Sequence, residues 1–158
     1  MIKEILLKEI KSSQEFFERS TRVLSESDSE FRPANESFTV AQQVAHVAHT
    51  IHWFLDGALS SEGFDLNFAE HSAILQKVTS LQQARAQLNR AYETLIGKVQ
   101  SMSEQELTAP MADSPVMGGE PRYEAFLGLI EHTAHHRGAL TVYTRLLNKA
   151  PLMPYMEM

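Results

Sequence analysis

Seven histidines, His46, His49, His52, His71, His132, His135 and His136, are unevenly placed: six fall within two short stretches, 46–52 and 132–136. Imidazole changes charge near neutral pH and is the commonest nitrogen ligand of protein-bound metals, so this concentration points to metal binding or proton transfer. His132 and His136 are four residues apart, a spacing that in a helix sets both rings over one face, where they can converge on one ion. His46 can supply a third ligand from a facing helix, as helical bundles build metal sites from side chains on separate rods. Three imidazoles leave at least one coordination position open. Spacing does not choose the ligands, however, because His132 with His135 and His46 with His49 are also neighbours on a helix. Several pairings therefore stand, beside the plainer reading in which the rings hydrogen-bond within a core. The zinc-protease motif is excluded, since Thr133 stands where that chemistry needs a glutamate directly after the first histidine. Glu124 and Glu131 read as solvated helix-face residues or as acceptors that orient an imidazole. With no cysteine in the chain, thiolate ligands, thiolate nucleophiles and disulfides are all removed, and any metal must use histidines and carboxylates.

Four amphipathic helices are expected to position these residues. Ile2, Leu6, Ile10, Phe17 and Leu24 give the first, from Met1 to about Ser25, and Arg32-Pro33 ends any continuation. Thr39, with Gln42 three residues on, reads as a capping box opening the second, whose stripe runs Val40, Val44, Val47, Ile51 and Phe54 to near Gly57. Residues 58–78 read as mostly irregular, with one or two helical turns after Phe68. Leu81, Ala84, Leu88, Ala91, Leu95, Val99 and Met102 make the cleanest pattern, the third helix. The proline- and glycine-bearing stretch Ala109 to Pro121 is a long loop, and Tyr123, Leu127, Ile130, Ala134, Val142 and Leu146 supply a face of the fourth helix, from about Arg122 to Asn148. No strand-like alternation appears, so the fold class is all-α: a four-helix bundle with long inter-helix connections, in which crossovers are possible. His46 sits in a polar lane with Thr39, Gln42, Gln43, His49, Thr50 and Trp53, whereas His132 and His136 lie among Ala125, Gly128, Leu129, Ala139, Leu140 and Tyr143, several of them small enough to leave a cavity. Trp53 and Tyr143 are candidates to line it.

The 158 residues suit a single domain spanning 1–158. With 14 Lys+Arg against 20 Asp+Glu, the formal charge of −6 and the lack of a basic stripe argue against nucleic acid as a partner. No apolar run approaches a membrane span, and Lys and Glu interrupt what would be a signal peptide's apolar segment, so a cytoplasmic protein is expected. Arg137 points roughly 100° away from His136 around the helix and reads as a partner for an ion pair or an interface. The apolar tail, with Leu152, Met153, Tyr155 and Met156, is expected to pack in an ordered way on the bundle or on a second subunit.

Three blocks, T-V-A-Q-Q-V-A-H at 39–46, H-T-A-H-H-R-G at 132–138 and P-L-M-P-Y at 151–155, together resemble the DinB-like (DinB/YfiT) superfamily in order and spacing, over essentially the whole chain. That resemblance implies a four-helix bundle of DinB/YfiT topology, usually a homodimer, with a divalent-metal site made by one histidine of the second helix and both histidines of the H-x-x-x-H block. Carried onto this chain, the ligands are His46, His132 and His136, while His49 and His135 stand aside. Relatives often carry Gln after R-G, where this chain has Ala139. The resemblance further implies a small-molecule substrate and a metal-dependent enzyme. Its expected chemistry is either thiol-dependent S-transfer, with a low-molecular-weight thiol as co-substrate, or hydrolysis by a metal-bound hydroxide. Zinc or nickel is the expected ion, with iron or manganese as further candidates. The alternative is a non-catalytic metal-binding, stress-response or dimerisation protein; a fourth protein ligand would favour it, whereas an open position favours chemistry.

Overall fold

The strongest apolar periodicities in the chain become its long helices. The computed structural model describes residues 1–157, with α1 at Ile2–Thr21, α2 at Val40–Leu59, α3 at Phe68–Gln76, α4 at Leu81–Ser101, α5 at Glu104–Thr108 and α6 at Arg122–Leu146. No strand occurs among the described residues; an isolated bridge between Pro110 and Pro121 closes the loop before α6. The four long helices form a four-helix bundle. Leu6, Ile10 and Phe17 of α1, Val40, Val44, Val47 and Ile51 of α2, and Leu81, Leu88, Leu95 and Val99 of α4 are buried as their spacing predicts. Each such side chain contributes roughly 1.5–3 kcal/mol by leaving water.

The capping box of α2 forms as expected: Thr39 Oγ1 accepts from the Gln42 N–H at 3.1 Å, and Gln42 Oε1 accepts from the Thr39 N–H at 3.0 Å. This fixes the phase at which α2 starts, and so the direction in which His46 points.

In the bundle, α2 packs against α4 and α6, and α1 also packs against α4 and α6. The sequential helices α1 and α2 are therefore diagonal rather than adjacent, and residues 22–39 cross between them. Ties that satisfy buried polar groups hold this crossing. The Ser29 Oγ accepts from the Leu81 N–H at 2.9 Å, and the Asp28 carboxylate receives the Ser25 N–H at 2.7 Å and the Lys149 ammonium at 2.5 Å. Burial works against the charge of Asp28, but these donors outweigh it and hold its carboxyl below the usual value.

Four details differ from the sequence expectation. α1 stops at Thr21, and a 3-10 turn, Glu26–Asp28, occupies the polar stretch beyond it. The segment after Phe68 is a full helix, α3, because Asn67, which reads as a loop residue, caps it by accepting from the Glu70 N–H; Leu75 is its one fully buried side chain, hence the weak pattern. α5 is capped by the Ser103–Glu106 box, too short to leave a periodicity. On α6 the buried face is Phe126, Leu129, Thr133, His136, Leu140 and Tyr143, whereas Leu127, Val142 and Leu146 of the expected stripe are exposed. Thr133 and His136 interrupt the inner face while Leu127, Val142 and Leu146 lie on the outer one, so an apolar count selects the wrong side.

Gly57, near the end of α2, allows a close approach: a Cβ there would lie 2.3 Å from the Phe64 ring. That ring in turn packs on Trp53, with centroids 4.6 Å apart. The tail is tied to α1 through Arg19, whose Nη1 donates to the Pro154 carbonyl at 3.0 Å, and through Tyr155, edge-on to Phe16. It lies against α1, but Met153, Tyr155 and Met156 stay exposed.

Candidate metal centre

Because α2 and α6 pack side by side, His46 from one faces His132 and His136 from the other. Their ring centroids are 5.0 Å and 4.6 Å from His46 and 4.4 Å from each other. One ligating nitrogen from each ring can be chosen so that all three lie within 4.8 Å of one another, and no other histidine or carboxylate joins such a group among the described residues. The Nε2 atoms of His132 and His136 are 3.1 Å apart. Two nitrogens held about 2.0–2.1 Å from one zinc in a tetrahedral arrangement are separated by about 3.3 Å, so the observed pair fits one edge of such a site.

A buried chain of hydrogen bonds sets the protonation of His136. The Tyr143 hydroxyl donates to the Phe38 carbonyl at 3.0 Å and accepts from Gln43 Nε2 at 3.2 Å. That arrangement turns Gln43 Oε1 toward His136, whose Nδ1–H it accepts at 2.5 Å. The His136 Nε2 is left with its lone pair facing His132, the tautomer a metal ligand needs. His46 Nδ1 and His132 Nδ1 are buried with no hydrogen-bond partner. A cation held by one nitrogen from each ring would satisfy the facing Nε2 lone pairs, and an all-imidazole set suits zinc, nickel, copper or iron. We expect Gln43→Leu, which preserves volume but removes the acceptor, to weaken metal affinity by about 10- to 100-fold with the fold retained. Calorimetric titration against zinc or nickel and a circular dichroism melt on the same samples measure both quantities.

Burial, followed by the proximity of the other rings, disfavours the imidazolium forms: His46 and His132 are each pushed down to about 4 and His136 to about 3. At neutral pH all three are neutral, as ligands must be. In the unfolded chain they would take up protons near 6.5, the ordinary value. Between about pH 6.5 and pH 4 the unfolded state thus binds more protons than the folded one, and stability decreases as the pH is lowered through that window. The melting temperature of metal-free protein is expected to drop steadily from pH 6.5 to pH 4, and His136→Gln to flatten the slope.

The remaining histidines take other parts. His49 Nε2 lies 2.8 Å from His71 Nδ1, and His71 Nε2 lies 3.3 Å from the Asp65 carboxylate, off the line for a hydrogen bond. His135 is exposed and meets His136 edge-on, and His52 is exposed. His46 and His132 also form part of the wall of a cavity of about 330 Å³, whose other sides include Phe38, His49, Trp53, Phe54, Phe68, His71 and Leu75. Trp53 is among the residues that line this cavity. Tyr143 does not; it sits behind Gln43, because the helical face it shares with His136 turns inward toward α2. Neither Glu124 nor Glu131 hydrogen-bonds an imidazole; Glu131 is exposed and acts on His132 only through its charge. Arg137 makes no ion pair among the described residues; its guanidinium lies 5.7 Å from the Phe16 ring and 5.9 Å from the Tyr155 ring. The polar lane of α2 points to Gln43 from sequence, but its partner on α6 is 93 residues away, and only packing shows it.

Residues 9–140 match the DinB superfamily. Among solved structures, a DinB-like protein from Bacillus cereus superposes with a TM-score of 0.75 at 20% identity, covering 98% of this chain and 97% of that one. YfiT from Bacillus subtilis, described as a probable metal-dependent hydrolase with an unusual four-helix bundle topology, superposes at 0.73 with 14% identity, over 94% and 89%. A protein from Streptococcus pneumoniae gives 0.73 at 17% identity, over 92% and 91%. A search of curated proteins found no match.

Proposed function

This chain belongs to the DinB superfamily, and from that premise we propose that it is a divalent-metal-dependent enzyme acting on a small molecule. The observation that carries the reading is the meeting of three neutral imidazoles, two of which, His46 and His132, form part of the wall of a cavity, with no fourth histidine or carboxylate in the group among the described residues. Three protein ligands leave a position for substrate, the arrangement of catalytic rather than structural sites. His49, one helical turn from His46, does not join the group and is instead engaged with His71.

When bound, a divalent ion supplies a Lewis acid that lowers the pKa of a thiol or a water. The chain's part is to hold His46, His132 and His136 neutral, to lock the His136 tautomer through Gln43, and to present a largely apolar cavity beside them. Two reactions suit a centre with no built-in carboxylate base: transfer of a thiol to an electrophile, and hydrolysis. The structural likeness to YfiT, described as a probable metal-dependent hydrolase, supports the second. The exposed Leu127, Val142 and Leu146 on the outer face of α6 support a homodimer through that helix. No helix is long and apolar enough to cross a membrane among the described residues.

The test uses protein purified without a His tag and loaded with zinc or nickel. It is incubated with a low-molecular-weight thiol plus a chlorinated aromatic, and separately with activated esters and amides. Turnover of either set that disappears on chelation and returns with the ion is the expected result. Turnover that survives chelation overturns the reading.

A further inference from the structure

The cavity beside the three histidines has a composition of its own. Its apolar walls are Phe38, Trp53, Phe54, Phe68 and Leu75, so most of the surface a ligand would touch is the face or edge of an aromatic ring, and neither Lys nor Arg lines it. A cavity of about 150 Å³ accommodates benzene. At about 330 Å³ this one has room for a substituted ring or a fused pair, and is too small for a peptide segment. The lack of a lining cation makes it a poor site for phosphorylated or multiply charged ligands.

One wall is polar. Asp65 holds two groups there: its backbone carbonyl accepts from the Trp53 indole N–H at 2.7 Å, fixing that ring, and its carboxylate lies 3.3 Å from His71 Nε2. The carboxylate favours the proton on His71 Nε2, so His71 Nδ1 is the acceptor in its 2.8 Å contact with His49 Nε2. The chain of orientation leaves Nδ1 of His49 as that ring's free acceptor. Burial and the His71 and His52 rings keep His49 below its ordinary value, which favours the neutral form that accepts.

We propose that this cavity binds a small, flat aromatic molecule carrying one hydroxyl, thiol or amine hydrogen, whose ring lies against Trp53 and Phe68 and whose N–H, O–H or S–H donates to His49. The identification deepens the functional reading above and rests on it, in that His46 and His132 form the reactive wall of the same cavity. His49, His71 and Asp65 are positioning residues: they select the ligand and orient it toward that wall.

Trp53 is the single tryptophan, so its emission reports occupancy directly. The probes are 4-nitrophenol, buffered below its own pKa, 4-nitroanisole, which has the same ring without the donor, and cyclohexanol, which has the hydroxyl without the ring. Saturable quenching by both aromatics is expected, with the phenol bound about fivefold to tenfold tighter, and no displacement by cyclohexanol at matched concentration. His49→Ala is expected to abolish the preference for the phenol while leaving anisole affinity within about twofold, and His71→Gln to reduce the preference. Melting curves confirm that each variant is folded; because the comparison is between two probes on one variant, a general loosening of the cavity would weaken both alike. Absence of saturable quenching, equal binding of phenol and ether to wild type, or equal competition by cyclohexanol overturns the proposal. Metal content is measured on the same preparations. Bound metal without aromatic binding refutes this inference alone, and aromatic binding without metal uptake refutes the metal reading alone.

Discussion

His136→Ala is expected to lower the affinity for zinc or nickel by at least about 100-fold, with His46→Ala and His132→Ala close behind. A structural zinc site supplies roughly 10–16 kcal/mol through four ligands, or about 3 kcal/mol for each. That loss alone is about two orders of magnitude in binding. The penalty at His136 includes more than the ligand. Gln43 Oε1 would lose the donor at 2.5 Å that now satisfies it, leaving a buried acceptor unpaired between α2 and α6. The wild-type protein, stripped and reloaded, is expected to hold about one ion per chain by elemental analysis. Saturation at about 1,000 times the dissociation constant adds about 4 kcal/mol to its stability. For a chain of this length that corresponds to a rise of roughly 8–16 °C in melting temperature, which the three alanine variants should not show. His135→Ala is the decisive control, because its ring is exposed one position from His136. If it lost as much metal as His136→Ala, the assignment of ligands would be wrong.

The second large effect is expected at Phe54, whose ring joins the cavity to the helix that carries two of the histidines. It meets Trp53 at 5.1 Å, Phe64 at 5.9 Å and His132 at 6.5 Å between centroids. Its edge also reaches α6 at Gly128, where a Cβ would stand 3.3 Å from the ring. Phe54→Ala removes these contacts together and leaves a void that the rigid α2–α6 seam closes only in part. The expected cost is about 3–5 kcal/mol, or roughly 10 °C in melting temperature. Metal affinity should fall as well, since His132 loses the ring beside it, while Phe54→Leu should recover much of the stability. A loss below about 1 kcal/mol in Phe54→Ala would show that the seam relaxes and that the aromatic cluster does not support the site.

Much of the architecture is legible in the amino acids because helix formation and capping are local. The Thr39–Gln42 box and the valine stripe place α2 within two residues of its observed end, and the heptad-like run from Leu81 to Val99 places α4. The H-x-x-x-H spacing predicts two rings on one face of α6, and they are found there. Where the reading fails, the local signal is weak or points the wrong way. Asn67 caps a nine-residue helix instead of serving a loop, and Leu127, Val142 and Leu146 of α6 face outward while its inward face mixes Phe126, Leu129, Leu140 and Tyr143 with Thr133 and His136. Polar Thr133 and His136 interrupt that buried face and three apolar side chains lie outside it, so counting apolar residues misplaces it.

The sequence by itself determined four rods, their caps and the histidine spacing on each of two of them, since all of these follow from contacts within a few residues along the chain. Only the tertiary structure decided that α1 and α2 stand diagonally and that α2 and α6 are neighbours, which brings His46 to His132 and His136. It also decided that Gln43 and Tyr143 fix one imidazole's proton, and that a ring on α3 turns His49 away from the centre. The physical reason is the same in each case. The pairs that matter lie 22 to 105 residues apart along the chain, and no local preference of the backbone encodes which side chain will be across the seam once the core has packed.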